Sequence, residues 1–166
     1  MPVAVVTGTP RTDADAFLDA LAAVQADRGL AVVQAFDARY VADREHLRRA
    51  FELAERERSR GAAIADDREM EVLLYAAGRR QIDRALTMGA REGEPAAVLV
   101  AGTEAAVDAG VRAVGALDCF DAGEVDLGDP ATLRAFFELS DAELAAADDD
   151  LAGLVRERVA LLVVER

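Results

Sequence analysis

"DDREMEVLLYAAGRRQIDRALTMGA", Asp66 to Ala90, is the stretch on which the reading of the fold turns. Asp66 and Asp67 are good helix N-caps, and Met70, Leu73, Leu74 and Ala77 recur at helical spacing. The alternation of Val72, Leu74 and Ala76 fits a strand almost as well. The helix is the preferred reading, which leaves the chain with about four strands. After a glycine-marked turn at Gly78 come two adjacent arginines, Arg79 and Arg80. Ile82, Ala85 and Leu86 then share one helical face, and Gly89 closes that element.

Outward from this stretch, "PVAVVTG" is a β-branched run ending at Gly8-Thr9-Pro10 and reads as a first strand. A helix from Thr12 or Asp13 carries Phe17, Leu18, Leu21 and Val24 at core spacing and stops at Gly29. "LAVVQAF" (30–36) is a second strand. A helix from Asp43 presents Leu47, Ala50, Phe51 and Ala54, ends near Gly61, and has "ERERSR" as its solvated face. "AAVLVAG" (96–102) is a buried strand bounded by Pro95 and Gly102. Thr103 or Glu104 opens a helix with Ala106, Val107, Val111 and Val114, and "ALDCF" (116–120) reads as a short fourth strand. Asp129-Pro130 opens a helix holding Leu133, Phe136 and Phe137, with proline at its favoured first position. Ser140-Asp141-Ala142-Glu143 resembles a capping box. The last helix runs from about Asp149, with Leu151, Leu154, Val155, Val159 and Leu162 on its face. No repeat or linker is visible. The expectation is a single α/β domain over 1–166, with an about four-stranded, mostly antiparallel or mixed sheet covered by helices.

Composition narrows the chemistry. No apolar run approaches the ~20 residues of a membrane span, and the start lacks a signal-peptide pattern. Cys119 is the only cysteine and His46 the only histidine, which excludes cysteine-based zinc clusters and two-histidine metal sites. All 19 basic residues are arginine, so lysine Schiff bases and lysine-dependent phosphate loops are excluded. "TGTP" after the first strand lacks phosphate-loop spacing in any case. No cofactor is expected. With 32 acids, 37 alanines and a net charge of -13, the chain looks like a protein of a high-salt cytoplasm. The charge is uneven. Residues 1–38 carry -3 and 92–166 carry -12, whereas 39–91 hold twelve arginines against ten acids, for +2. Only the middle third offers an anion a basic surface.

Read as one string, "EVLLYAAGRRQIDRALTMGA" resembles a motif of the small kinase-binding regulatory subunit of the KEOPS complex, the archaeal relative of eukaryotic TPRKB. Members of that family carry an apolar segment of the form E-hydrophobic-L-L-Y-A-x-G, then a basic G-[KR]-R-Q-I, then a helix ending in glycine. The helix "EHLRRAFELAERERSR", the strand "AVLVAG" and the ending "LVRERVALLVV" agree in order and spacing. Lysines that the family often uses are arginines or absent here. The resemblance implies a non-enzymatic, cytoplasmic subunit with no cofactor. It would bind the atypical kinase/ATPase subunit of KEOPS, and the other subunits indirectly. It would also help to hold tRNA by the 3′ CCA end during threonylcarbamoyladenosine modification.

On this reading the tRNA contacts are Arg79, Arg80, Gln81, Arg84 and Tyr75. A guanidinium can bind phosphate bidentately and stack on a base. Arg80 and Arg84 share a face if the helix starts at the turn. The plainer alternative pairs these arginines with Asp83 or Glu71 on a solvated surface, with Tyr75 in the core. At about 1 M salt the Debye length is about 3 Å, so stacking and direct hydrogen bonds must carry more of the binding than long-range attraction. For the kinase subunit, apolar burial on the helix at 43–58 or the segment 66–77 is the expected mode. His46 in "DREHLRRAF" suggests a general base, but no nucleophile is tied to it by spacing. The acids Asp118, Asp121, Glu124, Asp126 and Asp148-Asp149-Asp150 could bind a cation, but the preferred reading is hydrated surface and a helix start. Two other functions stay open: a small α/β metabolite-binding domain or enzyme, and a protein–protein adaptor without RNA contact.

Overall fold

The computed structural model describes residues 1–164. In chain order it has β1 (Val3–Pro10), α1 (Ala14–Arg28), β2 (Val32–Asp37), α2 (Arg44–Ser59), α3 (Arg68–Ala77) and α4 (Ile82–Ala85). Then come β3 (Ala96–Ala101), α5 (Glu104–Gly115), β4 (Phe120–Ala122), α6 (Pro130–Phe136), α7 (Asp141–Ala146) and α8 (Leu151–Val164). The expected class holds: the chain is α/β, with one four-stranded sheet in the order β2-β3-β1-β4. All its strand pairs are antiparallel. Two compact units are distinguishable. One joins Met1–Ala38 to Gly89–Asp126, and the other joins Arg39–Met88 to the chain from Leu127 onward.

The first unit contains the sheet. Its centre is β3, every residue of which is buried, as a β-branched and small-residue run between two partners should be. Val98 and Val100 face one side of it and pack with Val33 and Ala35 of β2. Phe17, Leu21 and Val24 of α1 and Val107 and Val114 of α5 close that core. Asp13 caps α1 by accepting from Ala16 N, and Gly29 ends it in the left-handed region at φ 64°. Leu18, expected in the core, is 46% exposed. It lies one residue, and so about 100° of helical rotation, off the 17–21–24 stripe. The fourth strand also lies further along than expected, at 120–122 rather than 116–120. Cys119 packs beside the core and its carbonyl accepts from Arg11 N at 2.7 Å, but it is not paired in the strand. Pairing begins at Phe120, whose ring stacks on Phe17 with centroids 5.4 Å apart. At the other end of the pairing, where Gly8 faces Ala122, a Cβ on Gly8 would come 2.4 Å from the Asp121 carbonyl oxygen, so only glycine lets β4 lie against β1.

The second unit is helical. α3 settles the ambiguous stretch as a helix, with Asp67 accepting from Met70 N at 2.9 Å. Glu71 through Ala77 are all buried, so the segment shows no polar face for a helical period to reveal. α2 packs on α3 and α8, with Leu47, Ala50, Phe51, Leu53 and Ala54 buried. "ERERSR" is not uniformly solvated: Glu57 is buried and paired with Arg56 at 3.6 Å and Arg60 at 3.4 Å. α6 begins at Pro130 behind an Asp129 cap, and Ser140 and Glu143 form the capping box of α7. α8 begins at Leu151. Asp148 and Asp149 take left-handed backbone, and Asp150 accepts from Gly153 N at 2.9 Å, so the acidic run is a helix start. No helix among the described residues is long and apolar enough to cross a membrane.

Candidate functional site

The site is built where α3 ends. Gly78 takes φ 62°, and its N–H and that of Arg79 reach back to the Tyr75 and Leu74 carbonyls at 3.1 Å each. A Cβ there would sit 3.2 Å from the Arg158 carbonyl oxygen of α8, so both the backbone angle and the close approach call for glycine.

His46 holds this helix end from below. It is fully buried in the first turn of α2. Its Nδ1 accepts from Ala42 N at 3.0 Å, which leaves Nε2 to donate to the Ala76 carbonyl at 2.8 Å. Its ring also meets Phe137 edge-on, with centroids 5.8 Å apart. Burial pushes its pKa down to about 4, against the upward pull of the Ala76 carbonyl and Asp43. Both ring nitrogens are engaged and the ring is sealed from solvent. His46 therefore ties α2 to α3 and has no lone pair to offer a substrate.

The five expected contact residues separate into three groups. Tyr75 is fully buried and is a core aromatic, so it is closed to a stacking base. Arg79 is largely folded back, its side chain 20% exposed. Its guanidinium carbon lies 5.2 Å above the Phe136 ring, Nη2 donates to the Phe136 carbonyl, and Nη1 is 3.5 Å from a Glu138 carboxylate oxygen. Arg80, Gln81 and Arg84 are exposed. The helix starts at Ile82 behind Gln81, so Arg80 precedes it and no helical geometry places it on one face with Arg84. Among the described residues neither the Arg80 nor the Arg84 side chain makes a hydrogen bond or ion pair, unlike those of Arg48, Arg49 and Arg68 on nearby helices. Glu71 is no partner for them, because it is buried and accepts from Ile64 N at 2.8 Å and Ala65 N at 3.2 Å.

Apolar surface lies elsewhere than expected. The segment 66–77 is mostly enclosed, and the exposed positions of α2 include Arg44, Glu45, Arg48 and Glu52. Of Ile82, Ala85 and Leu86, expected to share one helical face, only Ala85 is buried; Ile82 and Leu86 are 49% and 54% exposed, because α4 is one turn long and Met88 goes inward beside Ala85 instead. Sequence reading also missed Arg158. This residue donates through Nε to the Phe137 carbonyl at 3.3 Å, and through Nη2 to the Glu138 carbonyl at 3.4 Å and the Glu143 carboxylate at 2.7 Å. The bond from Arg158 holds Glu143 below the usual carboxylate range. The signal in the sequence was the charged triplet Arg156-Glu157-Arg158 set inside an otherwise apolar terminal helix. No protein-family model matches this chain, and no curated protein does either.

Proposed function

We propose that this chain is the non-catalytic, kinase-binding regulatory subunit of a KEOPS complex in a cytoplasm of high salt. In that role it binds the atypical kinase/ATPase subunit and helps to recruit tRNA through its 3′ CCA end. The observation that carries the reading is the state of Arg80 and Arg84. In a chain of net charge -13 their side chains stand exposed without an acidic partner among the described residues, on the motif "GRRQIDRAL" that resembles the family's. A solvated pair serving only to balance acids would be expected to meet one. Gln81 adds an exposed amide donor and acceptor between them. The engagement of both His46 nitrogens supports a role without chemistry of its own.

A second reading, a protein adaptor without RNA contact, has one observation in its favour: exposed Ile82 and Leu86 interleave with the arginines. Apolar burial survives molar salt, whereas exposed charge pairs do not. Affinity capture of the tagged chain from its host in molar KCl separates the two. Recovery of the kinase subunit together with tRNA is the expected result. Recovery of the kinase subunit with no tRNA selects the adaptor, and absence of every KEOPS subunit removes the assignment.

A further inference from the structure

Beneath the Gly78 turn lies a cleft of about 210 Å³, lined by Ala77, Gly78, Arg79, Phe137, Glu138 and Arg158. That is several times the ~30 Å³ share of a water molecule. Two guanidiniums line it, Arg79 from the end of α3 and Arg158 from the middle of α8, and one account of them is structural. They neutralise the carbonyl end of α6, which explains Arg79 Nη2 on Phe136 O, Arg158 Nε on Phe137 O, and Arg158 Nη2 on Glu138 O.

That account leaves donors over. Among the described residues Arg79 Nε is buried with no acceptor, and Arg158 Nη1, on a side chain 28% exposed, has no protein acceptor and is open to a ligand rather than buried. A buried cationic N–H without an acceptor is costly, so an acceptor is missing from the protein's own set. Among the described residues the one anion that faces Arg79 is a poor fit. Glu138 reaches Nη1 only at 3.5 Å, is 73% exposed, and holds a left-handed backbone at φ 54°. Glu143, by contrast, is committed to Arg158 at 2.7 Å and to the cap of α7.

We propose that the cleft is an oxyanion site that takes a phosphate group between Arg79 and Arg158, and that the Glu138 carboxylate is its built-in competitor. A phosphate presents several acceptor oxygens at once, where one loosely held carboxylate oxygen now meets Nη1. Glu138 swings out to solvent when the phosphate enters, and its return limits the site to ligands that bring more than a single oxygen. The phosphate has two possible sources. One is a phosphodiester of a single-stranded RNA end, which rests on the function proposed above; the other is a free phosphate compound.

The test follows the arginine Nε–H resonances of the full chain by NMR in molar KCl, during titration with inorganic phosphate and, separately, with a CCA trinucleotide. A saturable shift of the Arg79 Nε–H is expected. Glu138→Gln keeps the shape and removes the charge, and should tighten phosphate binding roughly two- to fivefold. Arg158→Gln should weaken it more than about tenfold. An unmoved Arg79 signal in both wild type and Glu138→Gln overturns the site, and equal affinity in the two overturns the competitor. Tighter binding of CCA than of inorganic phosphate identifies RNA as the source, and the reverse order identifies a free phosphate compound. Failure to recover KEOPS subunits in the capture experiment leaves the inorganic phosphate titration standing, so the two ideas fail separately.

Discussion

Two neighbouring arginines in one motif have opposite jobs, and the difference is set by a single backbone angle. Gly78 at φ 62° turns the chain so that Arg79 lies over Phe136 while Arg80 points into solvent. Arg79→Glu removes a charged hydrogen bond and a cation–π contact and puts a carboxylate beside a carbonyl. It should cost roughly 2–3 kcal/mol in urea unfolding. Arg80→Glu with Arg84→Glu should stay within about 0.5 kcal/mol of wild type, as exposed positions do, yet abolish tRNA retention by the complex. Retention that survives the Arg80/Arg84 double change would make both arginines ordinary surface. Gly78→Ala forces a left-handed alanine against the Arg158 carbonyl and should lower stability by about 1–3 kcal/mol, read as a drop in Tm. From sequence alone the motif identified this turn and its glycine. It could not separate Arg79 from Arg80, because that depends on α6, which arrives some fifty residues later.

Between elements, His46 is the joint whose behaviour can be titrated. Its folded pKa of about 4 lies below the ordinary 6.5, so between those values the unfolded chain binds the extra proton. The neutral ring's contribution is therefore complete above about pH 6.5 and is lost as pH falls toward 4. It amounts to about 3 kcal/mol over that window. His46→Asn should lower stability at neutral pH and flatten the slope between pH 6.5 and 4, as measured by denaturant midpoints across pH. An unchanged slope would mean that carboxylates alone govern acid unfolding. Elements with local start and stop chemistry were legible: Asp13 and Gly29 bracket α1, Thr103 caps α5, and Ser140 boxes α7. Those that depend on distant partners were not. β4 begins where Phe120 meets Phe17, not where the apolar run begins. α3 is enclosed almost all round, which erases the period that separates helix from strand.

At the scale of the whole molecule, the two units interleave along the chain, which passes between them three times without a glycine- or serine-rich linker. Composition therefore gives no boundary between them to read. Grouping the charges by unit shows what the three-part split along the sequence concealed. Met1–Ala38 with Gly89–Asp126 has four arginines and thirteen acids, for -9, and Arg39–Met88 with Leu127–Arg166 has fifteen and nineteen, for -4. Self-repulsion is therefore concentrated in the unit that holds the sheet. At about 1 M salt the Debye length is about 3 Å and that repulsion is screened, whereas at about 0.01 M it is about 30 Å and spans the unit. The helical unit has ion pairs such as Arg156–Asp43 at 2.7 Å, half-buried, which gain strength as salt is withdrawn. Lowering KCl should thus speed amide exchange first in β2, β3 and α5, ahead of α2 and α3, even though β3 is wholly buried. Mass-resolved hydrogen exchange across a KCl series reads this directly. Loss of protection in α2 and α3 first, or in both units together, would show that net charge does not set the order of opening and that the acids serve hydration alone.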